Sequence, residues 1–481
     1  MQQVETLRKG YKFCTDKVSY MSKNQIAPVR MGGRYTVEIV NLGHSGEGVG
    51  RYRDFTIFVP QALPGETAEV EINEVKKSYA KAKLIAVKQA SPARVEPVCP
   101  VYRNCGGCQL QHMQYEAQLI AKQQQVINAI TRIGKLADIT IHPTIGAANP
   151  WYYRNKMQFP VGQAQGEVVV GCYSQGTHAI INTDNCCIQH AVNNTIAGQV
   201  RRIVTDLNIA TYNERTGEGV IRHVMGRVGT ATGEVMVALV TATDQLPQQD
   251  KIIAALQQSV PGLVSIIHNI NPKRSNIILG ETTRTIWGKD TITDKLGNLT
   301  FHISARSFFQ VNTEQTVVLY GKAVEYADLS GKETVIDAYC GTGTITLFLA
   351  ARAAKVYGIE IVEPAIADAW QNARTNKIDN VEFIAGDAVQ VMPDLYRSGI
   401  RPDTIVVDPP RAGCEAKVLE AFVKMNPKRI VYVSCNPASL ARDLAILAEQ
   451  GYKTEEIQPV DMFPHTHHVE NVARVERKRS L

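Results

Sequence analysis

The sequence lacks any apolar run of the ~18 or more residues that a membrane-spanning helix requires. The N-terminal segment, MQQVETLRKGYKFCTDKVSYMSKNQ, also lacks the continuous apolar core of a secretory signal peptide. We expect residues 1–28 to form a disordered leader, with Met21 as an alternative start. No internal repeat or low-complexity tract is present. These absences argue against a membrane-embedded or secreted protein, and a cytoplasmic location is expected.

A strong excess of charge of one sign is also absent. The 52 basic and 46 acidic residues give a formal net charge of +6, which is compatible with nucleic-acid binding but does not indicate it. The chain has 481 residues, of which 44% are hydrophobic and 20% charged, as in soluble globular proteins. This length predicts two or three domains.

Cysteine is well represented, with ten residues at positions 14, 99, 105, 108, 172, 186, 187, 340, 414 and 435. Without a signal peptide, a reducing compartment is expected, and disulfides are rare there. Clustered cysteines in such a protein indicate a metal site or a catalytic thiol.

Residues 31–89 predict a small β-barrel of the OB type. Short alternating segments such as RYTVEIVNLG and DFTIFVP are separated by glycine turns. The segment EVKKSYAKAKL adds four lysines around a tyrosine. These lysines either guard a solvated edge strand or contact the phosphates of a nucleic acid.

The remainder of the chain changes character near residue 300. Residues 90–300 mix helices and strands, which predicts a central α+β domain. Residues 301–481 alternate near-continuous apolar strands, such as TVIDAYC and DTIVVDPP, with helices. This pattern predicts a doubly wound α/β domain with its site at the carboxyl ends of parallel strands.

A glycine turn and three carboxylates mark that predicted site. Gly341 and Gly343 follow the first apolar strand, and acidic residues follow the next three strands at Glu360, Asp387 and Asp408. Each carboxylate alone is a common helix cap. Together they favour a ligand with an adenosine and a positive charge, and S-adenosylmethionine has both. The region resembles the Rossmann-like methyltransferases.

A cysteine lies at the end of another predicted strand. In VYVSCNPASLARD, Cys435 is either a small buried residue or a nucleophile. A thiolate that adds to carbon 6 of uracil makes carbon 5 reactive toward a methyl donor, and a base must then remove the carbon 5 proton. Glu470, 35 residues later, can supply that base. Cys414 is a rival nucleophile, and Cys340 is expected to serve packing.

Four segments, SCNPASLARD, DMFPHTHHVE, DPPRAG and SARSFFQVN, together resemble the RNA uridine-5-methyltransferases, and the similarity extends from about residue 30. The resemblance implies that Cys435 is the nucleophile and Glu470 the base. It also implies a donor site formed by Gln310, Tyr339, Glu360 and Asp408, with Asp387 as a neighbour of the adenine. For His465, His467 and His468 we expect at most an orienting role.

The segment CPVYRNCGGCQLQH spaces three cysteines as C-x5-C-x2-C, at Cys99, Cys105 and Cys108. Zinc is one occupant, and an iron–sulfur cluster is favoured by the long first spacing and the glycines. A fourth ligand must come from Cys186 or Cys187. The resemblance implies a [4Fe-4S] cluster and favours Cys186. Because methyl transfer moves no electrons, we expect a structural or RNA-orienting cluster.

The resemblance also implies that the N-terminal barrel is a TRAM domain whose lysines contact RNA. Two basic strand segments could hold phosphates and stack bases, or could be ordinary amphipathic strands; they contain Arg154, Lys156, Arg222 and Arg227. The target uridine must be flipped out to reach Cys435.

The combination of barrel and cysteine segment favours large-subunit (23S) rRNA as the substrate, at one or two sites. The T-loop of tRNA is the alternative, and a monomer is expected. A non-catalytic RNA-binding module and a radical or redox enzyme are the competing classes.

Overall fold

The structure, a computed structural model, describes residues 27–478. The predicted leader lies outside this range except for its last two residues, and so do Cys14 and Met21. None of the helices in the described range has the length and hydropathy needed to span a bilayer.

The first unit is a closed five-stranded barrel, as predicted. Burial alternates along its strands, so that every second side chain fills the interior. The strands are β1 (Arg34–Leu42), β2 (Gly48–Tyr52), β3 (Phe55–Val59), β4 (Thr67–Val75) and β5 (Tyr79–Gln89), closed in the order β1-β2-β3-β5-β4. Because β5 pairs with both β3 and β4, the edge-strand interpretation of its lysines is wrong. Lys76 and Lys81 both form ion pairs with Glu74.

After the barrel, the chain first contributes a helix and a short strand to the C-terminal sheet and its core. Helix α1 (Tyr115–Arg132) is followed by the short strand β6 (Thr140–Ile141), which pairs in parallel with a strand formed by residues 452–460. The buried face of α1 includes Val126 and Ile130, which join the same hydrophobic cluster as the C-terminal strands.

The central sheet has seven strands in the order β13-β12-β11-β10-β7-β8-β9. They are β7 (Lys156–Ala164), β8 (Glu167–Tyr173), β9 (Ile180–Asn182), β10 (Ile221–Val228), β11 (Val235–Thr241), β12 (Leu263–Ile270) and β13 (Thr282–Gly288). Helices α2 (Ala191–Asp206) and α3 (Gln249–Ser259) pack on one face through Ile196, Val200 and Leu256. A hairpin of β14 (Thr291–Leu296) and β15 (Leu299–Ser304) leads to the C-terminal unit.

The C-terminal sheet has eight strands in the order β18-β17-β16-β19-β20-β22-β21-β6. Its strands are β16 (Thr334–Asp337), β17 (Lys355–Glu360), β18 (Val381–Ala385), β19 (Thr404–Val407), β20 (Arg429–Ser434), β21 (Tyr452–Val460) and β22 (Glu470–Arg477). Its helices are α4 (Thr313–Ala327), α5 (Thr344–Ala350), α6 (Glu363–Thr375), α7 (Ala388–Arg397), α8 (Ala416–Met425) and α9 (Pro437–Glu449).

This sheet is the predicted doubly wound arrangement. Successive residues of a strand enter opposite cores: Ile405 and Ile430 belong to one hydrophobic cluster, and Val406 and Val431 to the other. Burial of both faces explains the near-continuous apolar runs of the sequence. The strand order reverses between β16 and β19, where ligands bind in this class of sheet.

Candidate active site

Several of the side chains predicted to form the site lie at one edge of the C-terminal sheet. Asp337 and Glu360 end β16 and β17, and Asp408 and Cys435 directly follow β19 and β20. Strand β22 is antiparallel to β20, with Asn471 opposite Ser434, so Glu470 at its start lies at the same edge. All five side chains line a single cavity of about 970 Å³. The fold therefore places a thiol and a carboxylate from neighbouring strands on one site.

The cavity brings together the two side chains favoured for catalysis, the four predicted for the donor site and the four cysteines favoured as metal ligands. Its walls include Gln310, Tyr339, Glu360, Asp408, Cys435, Glu470, Cys99, Cys105, Cys108 and Cys186. It therefore runs from the donor residues to the cysteine segment.

Three other candidates are not among the lining residues. Asp387 caps helix α7, with its Oδ1 accepting from the Val389 N–H at 2.9 Å, so it is the ordinary cap that its position allowed. Cys414 is buried, and its N–H donates to Asp443 at 2.8 Å. Cys187 is buried beside Cys99. By contrast, Cys340 is buried and also forms part of the cavity wall.

The glycine turn fixes the donor end of the cavity. Gly341 and Gly343 have φ of +54° and +81°, which disfavours residues with a Cβ. A Cβ on Gly343 would also lie 3.0 Å from the Phe383 ring. The Glu360 carboxylate accepts from the N–H groups of Gly341 at 3.1 Å and Val362 at 2.9 Å. The turn thus holds Glu360 in place at the cavity wall.

The acidic side chains perturb one another. Burial raises the pKa of Glu470, which is 4% exposed, and the nearby Asp408 raises it further. Burial and Asp337 likewise raise the pKa of Asp408. For Cys435, burial, Glu470 and Asp408 raise the thiol pKa to about 11. A bound cation would favour the ionised forms, so the pocket is suited to a positively charged ligand.

Arg411, which sequence reasoning missed, also lines the cavity. Its charge lowers the pKa of both Cys435 and Glu470, against the stronger effect of burial. Its guanidinium lies 3.4 Å from the Nε2 of His468. The DPPRAG motif did not indicate this position, because only the fold places Arg411 in the same cavity wall as Cys435 and Glu470.

We therefore predict that Arg411→Gln moves the pH–rate profile to higher pH. Cys435 is predicted from the sequence as the nucleophile and Glu470 as the base, and each must lose its proton to take that role. Removal of Arg411 raises the pKa of both groups. The wild-type rate should rise with pH above neutrality, and the variant should be several-fold slower at pH 7 with a smaller deficit at pH 9. Initial rates of methyl transfer between pH 6 and 9 measure this. Arg401→Gln, at an exposed arginine stacked on Tyr396, is the control and should keep the wild-type profile. A uniform loss at all pH values would contradict the prediction.

The three histidines belong to the scaffold of this edge. Burial lowers the pKa of His465 to about 3, of His467 to about 4 and of His468 to about 3, so their imidazoles are neutral near pH 7. His465 stacks on Trp151 with ring centroids 3.7 Å apart. His468 lines the cavity beside Arg411.

The cysteines converge from three segments of the chain. Cys172 of β8, which sequence reasoning missed, contacts Cys105, and the Gly106 N–H donates to the Tyr173 carbonyl at 3.0 Å. A Cβ on Gly107 would lie 3.5 Å from the Cys105 Sγ and 3.8 Å from the Cys172 Sγ. Within residues 27–478, no three cysteine, histidine or acidic side chains are close enough to ligate one metal ion. Cys172 lacks the close spacing that marked the other cysteines, so only the fold reveals it.

Two of the arginines predicted to contact phosphates have another role. Arg222 and Arg227 on β10 are each 3% exposed. Arg222 donates to the carbonyls of Asn271 at 2.5 Å and Lys273 at 2.8 Å, and Arg227 donates to the Ser307 carbonyl. Phosphate contact, one of the two interpretations that the sequence left open, is contradicted for both, because their buried guanidinium groups donate to backbone carbonyls of neighbouring loops.

The other two basic residues of these segments differ from them. Arg154 lines the cavity, which is compatible with a contact to RNA. Lys156 is partly buried beside Arg154 and Arg227, and burial lowers its pKa to about 7.

Comparison with known proteins identifies the family. A family model described as tRNA (uracil-5-)-methyltransferase matches residues 114–478, and a TRAM domain model matches residues 28–85. An uncharacterized RNA methyltransferase of Halalkalibacterium halodurans is 50% identical over 458 residues, which cover 95% of this chain and 100% of the relative. One from Clostridium tetani is 48% identical over 445 residues, covering 92% of this chain and 96% of the relative.

A solved structure has the same overall architecture. The Pyrococcus abyssi tRNA (uracil-54, C5)-methyltransferase in complex with S-adenosyl-L-homocysteine superposes with a TM-score of 0.74 at 29% identity, over 92% of this chain and 99% of that chain. The matches confirm the resemblance seen in the sequence motifs. The chain therefore belongs to the tRNA (uracil-5-)-methyltransferase family and is an S-adenosylmethionine-dependent RNA (uracil-5-)-methyltransferase with an N-terminal TRAM domain.

Proposed function

We propose that this enzyme methylates carbon 5 of a uridine in large-subunit rRNA, with Cys435 as nucleophile and Glu470 as base. The observation that carries the proposal is that this thiol directly follows β20 and this carboxylate begins the adjacent strand β22, so that both line one cavity. Cys414, the rival thiol, is buried beside Asp443 and is not among the lining residues.

The proposed steps follow from these two side chains. Bound S-adenosylmethionine supplies an electrophilic methyl group. The Cys435 thiolate adds to carbon 6 of the uracil, and the electron pair displaced toward carbon 5 forms the new bond to the methyl carbon. The bond between that carbon and the sulfonium sulfur breaks at the same time, and its electron pair leaves with sulfur as S-adenosylhomocysteine. Glu470 then removes the proton from carbon 5, the double bond between carbons 5 and 6 re-forms, and the thiolate of Cys435 leaves. The methyl group stays on carbon 5, and Cys435 is regenerated.

We propose that the same cavity holds the methyl donor. Glu360 is placed to accept hydrogen bonds from ribose hydroxyls, since it ends the strand after the glycine turn. Gln310, Tyr339 and Asp408 complete the proposed set. Burial and Asp337 raise the pKa of Asp408, and a sulfonium bound beside this carboxyl would favour its charged form.

The choice of rRNA rests on the combination of a TRAM barrel with a cysteine segment. A second candidate is a uridine of tRNA. The Pyrococcus abyssi structure, described as a tRNA (uracil-54, C5)-methyltransferase, aligns with 92% of this chain, and this supports tRNA. The two substrates differ in the RNA and share the chemistry of the site.

The deciding experiment is methylation of total RNA from a strain that lacks this gene, with tritiated-methyl S-adenosylmethionine and anaerobically prepared protein. Nuclease mapping and mass spectrometry then locate the label. Label in 5-methyluridine of large-subunit rRNA supports the proposal, and the number of labelled positions gives one or two sites. Label confined to tRNA overturns the substrate and keeps the mechanism. Absence of label overturns the proposed activity and favours a non-catalytic RNA-binding module.

We also propose that Cys99, Cys105, Cys108 and Cys186 hold a [4Fe-4S] cluster. Each of the four thiolates would bind one iron of the cluster. The C-x5-C-x2-C spacing and the convergence of these thiols on one cavity support the proposal. Such a cluster would tie the cysteine segment to the central sheet.

Cys186 and Cys187 provide a matched pair of variants. Cys186 lines the cavity, whereas Cys187 packs with Cys99 and Tyr102 in a small hydrophobic cluster. We expect Cys186→Ala to lose most of the iron and sulfide of anaerobically purified protein, and Cys187→Ala to retain them. Iron and sulfide analysis and the visible absorption spectrum measure this. Equal losses in the two variants, or zinc in place of iron in the wild type, would refute the assignment.

The domain limits that we propose are those predicted from the sequence, with one exception: α1 and β6 lie within 90–300 but pack against and pair with the C-terminal sheet. We propose a TRAM domain over 31–89 whose lysines contact RNA, a central domain over 90–300 and a methyltransferase domain over 301–481.

A further inference from the structure

Glu470 directly follows a segment without regular secondary structure. Residues 461–469, here called the base loop, connect β21 to β22 and end at the proposed base. Within this loop His465 has φ of +68°, a left-handed conformation that is uncommon for residues other than glycine. A nine-residue loop without regular structure is expected to be mobile unless other elements hold it. The contacts that hold this loop therefore decide where Glu470 lies.

Helix α1 anchors the start of the base loop through a buried ion pair. The Lys122 Nζ donates to the Asp461 Oδ1 at 2.5 Å and to the Phe463 carbonyl at 3.1 Å. The side chains of Lys122 and Asp461 are 1% and 0% exposed. The Tyr115 hydroxyl donates to the other oxygen of Asp461 at 3.0 Å. Charges buried this deeply persist only with well-formed partners, which fixes the geometry of the segment.

Gln118, one turn earlier on α1, holds the middle of the loop. Its amide oxygen accepts from the His465 N–H at 3.0 Å, and its amide nitrogen lies 3.2 Å from the His465 Nδ1. The same nitrogen donates to the carbonyls of Leu110 at 3.0 Å and Met113 at 2.8 Å. Gln118 is fully buried, so water does not compete for these bonds. One side chain thus joins the base loop to the segment that follows Cys108.

The cysteine segment also contacts the base loop directly. The N–H groups of Gln109 and Leu110 donate to the His465 carbonyl at 3.0 and 2.9 Å. Gln109 directly follows Cys108 in the chain. The backbone of His465 is therefore bonded at its carbonyl by the cysteine segment and at its N–H by Gln118.

We propose that Gln118 is a positioning residue for Glu470, which it places by bonding His465 to Leu110 near the end of the cysteine segment (residues 99–112) and to the adjacent Met113. The base and the cysteine segment then share one hydrogen-bonded frame, and displacement of either end displaces the base. This inference rests on the proposed function only in taking Glu470 as the base. It also gives the cysteine segment a role in methyl transfer that involves no electron transfer.

The test uses Gln118→Met, which keeps the length of the side chain and removes its hydrogen bonds. Gln124→Met is the matched control, because Gln124 lies on the same helix and its amide nitrogen donates to the Asn128 side chain. Total RNA from the strain lacking the gene, which contains both candidate substrates, serves as the probe. The measured quantities are kcat, the KM for S-adenosylmethionine, Tm, and the fraction of enzyme in a covalent RNA adduct on a denaturing gel.

We expect kcat of Gln118→Met to fall about tenfold or more, since a displacement near 1 Å can cost as much as ~10²-fold. The KM for S-adenosylmethionine should stay within about twofold of the wild type. Methylated adduct should accumulate several-fold, because a displaced base slows removal of the carbon 5 proton after the methyl group has arrived. Gln124→Met should match the wild type in all four measurements.

Two outcomes overturn the proposal. Unchanged kcat and adduct level show that Gln118 does not position the base. Reduced kcat without adduct, accompanied by weaker binding of S-adenosylmethionine, shows a purely structural role. If Gln118→Met does not fold, Gln118→Glu retains the acceptor and loses the donations to Leu110 and Met113, and the same criteria apply. If the wild type itself makes no 5-methyluridine in rRNA or tRNA, the proposed function has failed instead.

Discussion

Replacing Cys435 by alanine should abolish methyl transfer, with a loss on the order of 10³-fold or more. Carbon 5 of uracil is a poor nucleophile until a thiolate has added to carbon 6, and the thiol that faces both the donor residues and Glu470 is Cys435. Binding of S-adenosylmethionine and RNA should persist, because alanine removes one sulfur from a residue at the strand end and leaves β20 intact. Methyl incorporation, isothermal titration with S-adenosylmethionine and a gel-shift assay with rRNA measure the three properties.

Cys414→Ala is the control for this experiment. The Cys414 thiol is buried near Tyr432, and burial raises its pKa to about 12. The Cys414→Ala variant should therefore keep most of the activity. Its stability should fall modestly, because the substitution leaves a small cavity in the core. A Cys435→Ala variant that still methylates RNA, or a Cys414→Ala variant that alone is inactive, would refute the assignment of the nucleophile.

Replacing Glu470 by glutamine should trap a covalent intermediate, whereas Cys435→Ala cannot form one. The thiolate can still add and the methyl group can still be transferred, but removal of the carbon 5 proton loses its base. The enzyme should therefore accumulate as a covalent adduct with methylated RNA, while turnover falls on the order of 10²- to 10⁴-fold, the range for general-base catalysis. Denaturing gels with tritiated-methyl donor show the adduct as label that migrates with the protein.

Glu476→Gln provides the control on the same strand. Glu476 forms an ion pair with Arg429 at 2.6 Å, toward the end of β22 away from the cavity. Its loss should change stability slightly, in keeping with a partly exposed pair, and should trap no adduct. A Glu470→Gln enzyme that turns over normally, or that is inactive and forms no methylated adduct, would show that the base lies elsewhere.

The doubly wound C-terminal sheet could be predicted from the sequence because both faces of its strands are buried. Apolar runs such as DTIVVDPP are continuous where side chains enter two cores, as Ile405 and Val406 do. The pairing of β6 with the C-terminal sheet could not be predicted from the sequence. Two residues at Thr140–Ile141 complete the edge of a sheet whose other strands come from residues 334–477, and no local pattern encodes a pairing over that distance.

The predicted site residues share one property, which is that they follow an apolar run or belong to a recognisable motif. Cys435 and Asp408 follow apolar strands, and so does Asp387, which the structure uses as a helix cap. Asp337 was missed although it ends β16, where burial raises its pKa to about 6. It lies within TVIDAYC, so the run continued past it and concealed the strand end.

For the arginines of β10, the sequence suggested a functional contact that the structure does not support. A basic residue between apolar neighbours is usually interpreted as exposed on the surface, since burying a charge is costly. Arg222 and Arg227 are nevertheless buried, because backbone carbonyls from residues 271–273 and from Ser307 accept their protons. Such partners lie at least 49 residues away in the chain and cannot be inferred from local spacing.

The pairing of β20 with β22 has a consequence for how this site tolerates change in chain length. Thiol and carboxylate are 35 residues apart in sequence, yet their separation in space is fixed by a single register, Ser434 opposite Asn471. Insertions in the intervening helix α9 or its connections leave that register alone. A slip of one residue between the two strands would instead turn Glu470 to the opposite face of the sheet, since side chains alternate. Strand alignment, rather than the length of the segment between, is what a redesigned or circularly permuted form of this enzyme would have to preserve.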